Sequence, residues 1–328
     1  MNRRHLLLAA AGGALVPAAS HVARAQGAAS WPDRPIRLIV PYPPAGGTDV
    51  ISREIGGRLA ASTGWNIVIE NRPGAGGNIG IDTVAKATDD HTIGMGQTSN
   101  LAINPTLYAA NITYQPLRDL ALISLVAVQP NVLVVAKNSP FRSIADVVRA
   151  AKAKPGELSA GNPGSGTIGH LATELLNRRA GVDIAVIPYR GASQVSTDLL
   201  AGRIDLYFAN PLAVRGMMES GEMRALAVTS PRRASSMPEV PTMIEAGYEG
   251  FEAVNWTGLV APARMPAPVI VRLNEEVRRA LALPAVIERL AVEGAEPKPS
   301  SPEEFRSFLT SELEKWGKVV RESKVKVE

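Results

Sequence analysis

The sequence predicts an α/β fold of two lobes, and three observations predict it. Strand-like and helix-like stretches alternate along most of the chain, the pattern of largely parallel sheets flanked by helices. A short apolar strand running into a Pro/Gly loop and then a helix begins at residue 36, and the same grammar returns from residues 66 and 158. The length of 328 residues fits about two domains.

The first unit is Ile36-Arg37-Leu38-Ile39-Val40-Pro41-Tyr42-Pro43-Pro44-Ala45-Gly46-Gly47-Thr48-Asp49. Its apolar, branched residues favour a buried strand, and the prolines then forbid regular pairing. Gly46 and Gly47 let the backbone turn and approach a ligand, and Thr48 or Asp49 can cap the next helix. That helix carries Ile51, Ile55 and Leu59 on one stripe. A Gly-rich turn at a helix start presents unpaired N–H groups and the positive end of the dipole, which suits an anion. The second unit joins the strand at residues 66–70 to Asn71-Arg72-Pro73-Gly74-Ala75-Gly76-Gly77-Asn78 and a helix with Ile81 and Val84. A strand at 92–96 ends in the small polar cluster Gln97-Thr98-Ser99-Asn100.

Residues 120–136 are nearly continuous apolar, broken at Gln129-Pro130, and read as a crossover between lobes followed by a core strand. Ser143 with Asp146 resembles a capping box. A strand at 158–161 enters Asn162-Pro163-Gly164-Ser165-Gly166-Thr167 and a helix with Leu171, Leu175 and Leu176. Strands follow at 184–188, leading to Tyr189-Arg190-Gly191, and at 204–208. The strand at 224–229 returns to the first lobe, giving lobe one residues 26–125 plus 231–328 and lobe two 126–230. The tail supplies a strand at 256–261, a helix opened by Pro266, and a last helix announced by Ser301-Pro302-Glu303-Glu304.

Composition narrows the function. Hydrophobic residues make up 45% and charged ones 20%, an ordinary globular balance. Residues 1–25 have the form of an export signal, Sec or twin-arginine: Arg3-Arg4, an apolar stretch to Ala19, and Ala23-Arg24-Ala25 before Gln26. Removing them takes three arginines and no acid, lowering the net charge from +4 to +1. So small an excess does not point to nucleic acid. No other apolar run approaches a membrane span, so the mature chain is expected to be soluble and periplasmic. The absence of cysteine excludes a disulfide framework, thiolate catalysis and Cys-based metal sites.

Gly164-Ser165-Gly166-Thr167-Ile168-Gly169 is a literal G-x-G-x-x-G after a strand and before a helix, with Asp183 further on. It can be read as a dinucleotide fingerprint, as an anion or carboxylate cradle, or as a plain tight turn. The loop opens on Asn162-Pro163 and the chain is exported, which favours the cradle. His91 and His170 are too far apart in sequence to announce a metal pair, and His170 is either a packed, capping residue or a ligand contact. Asp49, Asp198 and Asp205 are the candidate general bases, but no nucleophile elbow accompanies them.

Blocks along the chain carry a resemblance. They are Trp31-Pro32-Asp33-Arg34-Pro35-Ile36, Val40-Pro41-Tyr42 with Gly46-Gly47-x-Asp49, and Glu70-Asn71-Arg72-Pro73-Gly74-Ala75-Gly76-Gly77-Asn78-Ile79-Gly80. Further blocks are Tyr189-Arg190-Gly191, residues 198–205, Leu226-Ala227-Val228-Thr229-Ser230, Pro238-Glu239-Val240-Pro241-Thr242 and Glu245-Ala246-Gly247-Tyr248. Together they resemble the Bug-type periplasmic solute receptors of tripartite tricarboxylate transporters over essentially the whole mature chain. Thr88-Asp89-Asp90-His91-Thr92 departs from the family's usual Pro-Asp-Gly-Tyr-Thr, and Ser193-Gln194 stand where prolines or alanines are more usual.

The resemblance implies a periplasmic-binding-protein-like fold, two doubly wound sheets joined by a hinge, closing on a small carboxylate-bearing solute. It implies transporter subunits as partners, no cofactor and no catalysis, and the chain is expected to be a monomer. The ligand would lie between residues 43–49 and 162–167. The candidate ligand-binding residues are Tyr42, Ala45, Gly46, Gly47, Thr48, Asp49, Thr98, Ser99, Gly164, Ser165, Gly166, Thr167, His170, Tyr189, Arg190 and Asp205. Neither loop holds a basic residue, so backbone N–H groups and hydroxyls are expected to grip the carboxylate. The alternative is a two-lobed α/β oxidoreductase or transferase using the 164–169 loop.

Overall fold

The computed structural model describes residues 31–44, 46–323 and 325. The expected export signal and the candidate Ala45 lie outside them. The first sheet contains β1 (Ile36–Val40), β2 (Ile67–Asn71), β3 (Thr92–Gln97), β4 (Leu120–Pro130), β10 (Val254–Pro262) and β11 (Glu296–Pro297), ordered β11-β4-β10-β3-β1-β2. The second contains β5 (Val132–Ala136), β6 (Ser159–Asn162), β7 (Ala185–Pro188), β8 (Leu206–Ala209) and β9 (Met223–Val228), ordered β7-β6-β8-β5-β9. The fold is a two-lobed, mixed α/β architecture.

Both sheets follow one plan. Three parallel strands lie in the order second, first, third: β2-β1-β3 and β7-β6-β8. Beside them sits a strand arriving from the other sheet, β10 or β5, antiparallel to both neighbours. The sheets are therefore mixed rather than largely parallel. The reason lies in the crossings: β1, β3, β6 and β8 run toward the junction between the lobes, whereas β5 and β10 run away from it. The chain passes between sheets at Asn131 and again between Val228 and Val254. The apolar run at 120–136 is thus two strands, and β4 extends to Pro130, beyond the boundary expected at 125.

Helices cover the sheets: α1 (Gly47–Thr63), α2 (Asn78–Ala85), α3 (Ile144–Ala153), α4 (Ile168–Ala180), α5 (Ala192–Leu200), α6 (Pro211–Glu219), α7 (Ala267–Leu281), α8 (Pro284–Val292) and α9 (Pro302–Glu322). On α1 the stripe Ile51, Ile55, Leu59 is buried, in one core with Leu273 and Val277 of α7. Each such side chain contributes about 1.5–3 kcal/mol. Gly64, at φ 74°, ends α1 with its N–H on the Ala60 carbonyl. Ser301 and Glu304 form a capping box where the sequence announced the start of α9, and Ser143 caps α3 by accepting the Asp146 amide. α9 packs on residues 99–107 and on α4, so a single apolar core runs from Trp256, Phe305 and Val319 to Leu171 and Leu175 in the second lobe.

Candidate ligand-binding cleft

The carboxyl ends of the parallel strands of the two sheets face each other, the usual place for a ligand in open α/β sheets. Between them lies a cavity of about 300 Å³. Lobe one lines it with Tyr42, Gly76, Gln97, Ser99, Asn104 and Tyr108, and the crossings with Asn131 and Asn255. Lobe two contributes Pro163, Ser165, Gly166, Thr167, Ile168, Gly169, Ala192, Tyr207, Phe208 and Asn210. No Asp, Glu, Lys, Arg or His is among these residues.

The wall of lobe one is a directed chain of hydrogen bonds. Thr48 Oγ1 donates to Gln97 Oε1 at 3.0 Å, and Gln97 Nε2 donates to Ser99 Oγ at 3.3 Å. Ser99 Oγ lies 2.5 Å from Tyr42 Oη, which in turn donates to the Gly76 carbonyl at 3.3 Å and accepts from Asn100 Nδ2 at 3.1 Å. Burial pushes the Tyr42 phenol up to about 12, so this wall stays neutral at physiological pH.

The wall of lobe two is the loop between β6 and α4. Asn162 Oδ1 accepts the Gly164 amide at 3.1 Å, and Thr167 Oγ1 donates to the Gly164 carbonyl at 2.8 Å while accepting from His170 N at 3.3 Å. His170 Nδ1 accepts the Gly166 amide at 3.1 Å. Much of the expected cradle is therefore occupied by its own bonds. The donors that α4 offers outward are its first amides, Ile168 and Gly169, which have no carbonyl one turn back in the helix. Gly169 must lack a side chain, since a Cβ there would stand 2.5 Å from the Phe208 carbonyl oxygen. α5 starts at Ala192, and α6 follows Asn210, whose Oδ1 caps it by accepting Leu212 N. Three helix N-termini thus converge on this wall, each equivalent to about half a positive charge.

Of the sequence candidates, the cavity brings together Tyr42, Ser99, Ser165, Gly166 and Thr167. Gly46, Gly47 and Thr48 open α1 beside it, Gly46 being the N-cap with no side-chain bond. Asp49 is buried, its carboxylate accepting from Arg53 Nε and Asn71 Nδ2 at 2.8 Å each, which fastens α1 to the end of β2. Thr98 turns into the core, accepting Trp256 N at 2.8 Å. Gly164 and His170 shape the lobe-two loop from behind. Tyr189 donates to Asp198 Oδ2 at 2.9 Å, and Arg190 is exposed. Asp205 precedes β8 and accepts from Ser159 N at 2.8 Å, at the end of the strand away from the cleft. Asp183 likewise precedes β7 rather than ending it, so it is not placed like the acid of a dinucleotide site. Sequence reasoning missed Gln97, Asn104, Tyr108, Asn131, Tyr207, Phe208, Asn210 and Asn255. Of these, Gln97 stood in the polar cluster noted at the end of β3, and Asn210-Pro211, a cap followed by proline at a helix start, was legible as a signal.

Two lobes of one plan around a central cleft define a solute-binding protein. Its relatives agree. The profile of the tripartite tricarboxylate transporter family receptor, TctC, matches residues 51–325, and the chain belongs to this family, among its Bug-type members. It is 38% identical over 312 residues to Protein BugT of Bordetella pertussis (strain Tohama I / ATCC BAA-589 / NCTC 13251), covering 94% of this chain and 95% of that one. Among solved structures it is similar to R. palustris Rpa4515 with adipate, at 35% identity and TM-score 0.76, covering 90% of this chain and 99% of that one. MatC (Rpa3494) from Rhodopseudomonas palustris with bound malate is 29% identical, with TM-score 0.72 and coverage of 88% and 100%. No helix among the described residues is long and apolar enough to cross a membrane.

Proposed function

We propose that this chain is an exported receptor that closes its lobes on a small carboxylate-bearing solute and delivers it, chemically unchanged, to a membrane transporter of the tripartite tricarboxylate type. One observation carries the reading: an interlobe cleft with no charged side chain, onto which three helix N-termini converge. Such a site offers an anion charge-assisted bonds, each worth roughly 1.5–3 kcal/mol, without burying a lysine or arginine beside it. The adipate and malate of the similar structures support a carboxylate. The lining residues include no carboxylate, imidazole or amine to act as base, which supports binding over turnover. In this reading the lobes hinge at the two crossings, at Asn131 and between Val228 and Val254.

Mass spectrometry of solute released from natively purified protein tests this, with calorimetry on adipate and malate. A small carboxylate recovered intact supports the receptor; a nucleotide, or conversion of the bound acid, overturns it.

A further inference from the structure

We propose that His170 is a positioning residue for the cleft: its unprotonated Nδ1 holds the Gly166 amide and so fixes the 165–167 loop in the shape that meets lobe one. The inference deepens the receptor reading, on which only the affinity arm of its test depends.

Thr167 is the N-cap of α4, which makes His170 its third helical residue. In a capping box, a Glu or Gln at that position reaches back to the N-cap amide. Here an imidazole reaches one residue further, to Gly166 N at 3.1 Å, while the N-cap amide donates to the Gly164 carbonyl. His170 is 7% exposed and its bond to Gly166 is buried, so losing this acceptor would leave a buried N–H without a partner. Gly166 is where the loop touches the other lobe. Its φ is +76°, and a Cβ there would stand 2.5 Å from Leu107 Cδ2. The same short loop lines the cavity, so the bond that orients Gly166 also sets the height of Ser165 and Thr167 in it.

The bond requires a neutral ring, with the proton on Nε2. Burial supplies that condition, pushing the His170 pKa down to about 4. The surroundings do not oppose it. Glu174 Oε1, on the same helix, stands 3.9 Å from Nε2, beyond hydrogen-bond range, and burial raises its own carboxyl pKa. Asp183 faces Glu174 from beyond the end of α4, and Arg178 of α4 pairs with Glu322 of α9 further along. β6 and β8 present no charged residue, and lobe one presents Leu107. Protonation places a second donor against the Gly166 N–H and releases the loop. Because the folded pKa lies below the ordinary value, the contribution is full at neutral pH and falls away as the pH drops from about 6.5 to about 4.

The test measures Gly166 amide protection and the His170 imidazole ¹⁵N shifts in the ligand-free mature protein, and adipate affinity by calorimetry. His170→Asn places a carbonyl oxygen where Nδ1 stands and cannot titrate; His170→Leu keeps bulk without an acceptor. Wild type should show the Nε2–H tautomer at pH 7 and protection that is lost on acidification to about pH 4. His170→Asn should keep protection at both pH values, and His170→Leu should lose it at least tenfold and bind adipate about fivefold more weakly. Equal protection in His170→Leu, an acid loss retained in His170→Asn, or a protonated Nδ1 at pH 7 overturns the proposal. If adipate binds neither wild type nor variant, the carboxylate reading loses its support while the exchange data still decide the role of His170. If His170→Leu does not fold, the wild-type tautomer and the His170→Asn profile decide it.

Discussion

Two threonine-to-valine substitutions in this protein should differ sharply in their effect on stability. Thr229 is fully buried where the chain returns from the second sheet. Its Oγ1 accepts the Asn131 amide at 2.8 Å and donates to the Ala253 carbonyl at 2.7 Å, so one hydroxyl ties both crossings together. Thr229→Val keeps the shape but leaves a buried N–H and a buried C=O without that partner. Each costs about 1–3 kcal/mol, so the expected loss is about 2–6 kcal/mol. Thr257, in β10, is also buried, but its hydroxyl has no hydrogen-bond partner among the described residues. Thr257→Val removes a desolvated polar group that returns nothing, and should be neutral or stabilising by up to about 1 kcal/mol. Urea unfolding followed by tryptophan fluorescence, with the slopes checked for constancy, measures both. The reasoning fails if Thr229→Val lies within about 0.5 kcal/mol of wild type, or if both variants shift the same way.

Three further outcomes are expected. Gly169→Ala drives a methyl group toward the Phe208 carbonyl, a backbone atom that cannot rotate away, and should weaken adipate binding about tenfold by calorimetry, or about 1.4 kcal/mol. Arg190→Gln, altering an exposed side chain outside the cavity, should leave affinity within about twofold; abolished binding would refute the neutral-cleft reading. The Arg37 guanidinium holds the Glu70 carboxyl down at about 2, so the pair stabilises above the ordinary carboxylate range and the contribution is lost as the pH falls through about 2. With side chains 38% and 27% exposed, screening limits it to about 1 kcal/mol, read as the difference between wild type and Arg37→Gln at pH 7 that disappears at the acid end.

The strand–loop–helix units were legible because each is local. The apolar run of β1, the glycines after it and the stripe Ile51, Ile55, Leu59 sit within a few turns of one another, and the structure keeps all three. The capping pair Ser301 and Glu304 was legible for the same reason. Residues 120–136 were legible only in part: the break at Gln129-Pro130 marks the crossing and the core strand after it, but an apolar run before it reads alike whether it is a connection or a buried strand. Only the pairing of β4 with β10 and of β5 with β8 and β9 decides it. Among site residues, glycines and a helix start betrayed the 164–169 loop. Asp205 stands where a strand begins, as the sequence suggested, but that this is the end away from the cleft appears only once β6 and β8 are known to run parallel. Asn104 and Tyr108 reach the cleft through the wide helical turn after β3, which no period in the sequence announces.

The residues least visible in the sequence are those that line the cavity at the crossings between the lobes. Asn131 stands at the first crossing and Asn255 at the start of β10, just beyond the second, and both line the cavity. Each belongs to the connection feeding the strand that one lobe sends into the other's sheet. Their side chains approach to 3.5 Å, Asn255 Nδ2 toward Asn131 Oδ1, while the Asn131 backbone is held by Thr229. The floor of the cleft and the crossings between the lobes are therefore one structure. On the proposed receptor reading, a solute that hydrogen-bonds either asparagine would act directly on the backbone of the crossings, so a cleft with no charged side chain could report its occupancy through lobe position. That coupling needs a ligand to favour the closed arrangement by contacts with both walls, and both walls are within reach: Ser99 with Tyr42 on one side, Thr167 with the first amides of α4 on the other.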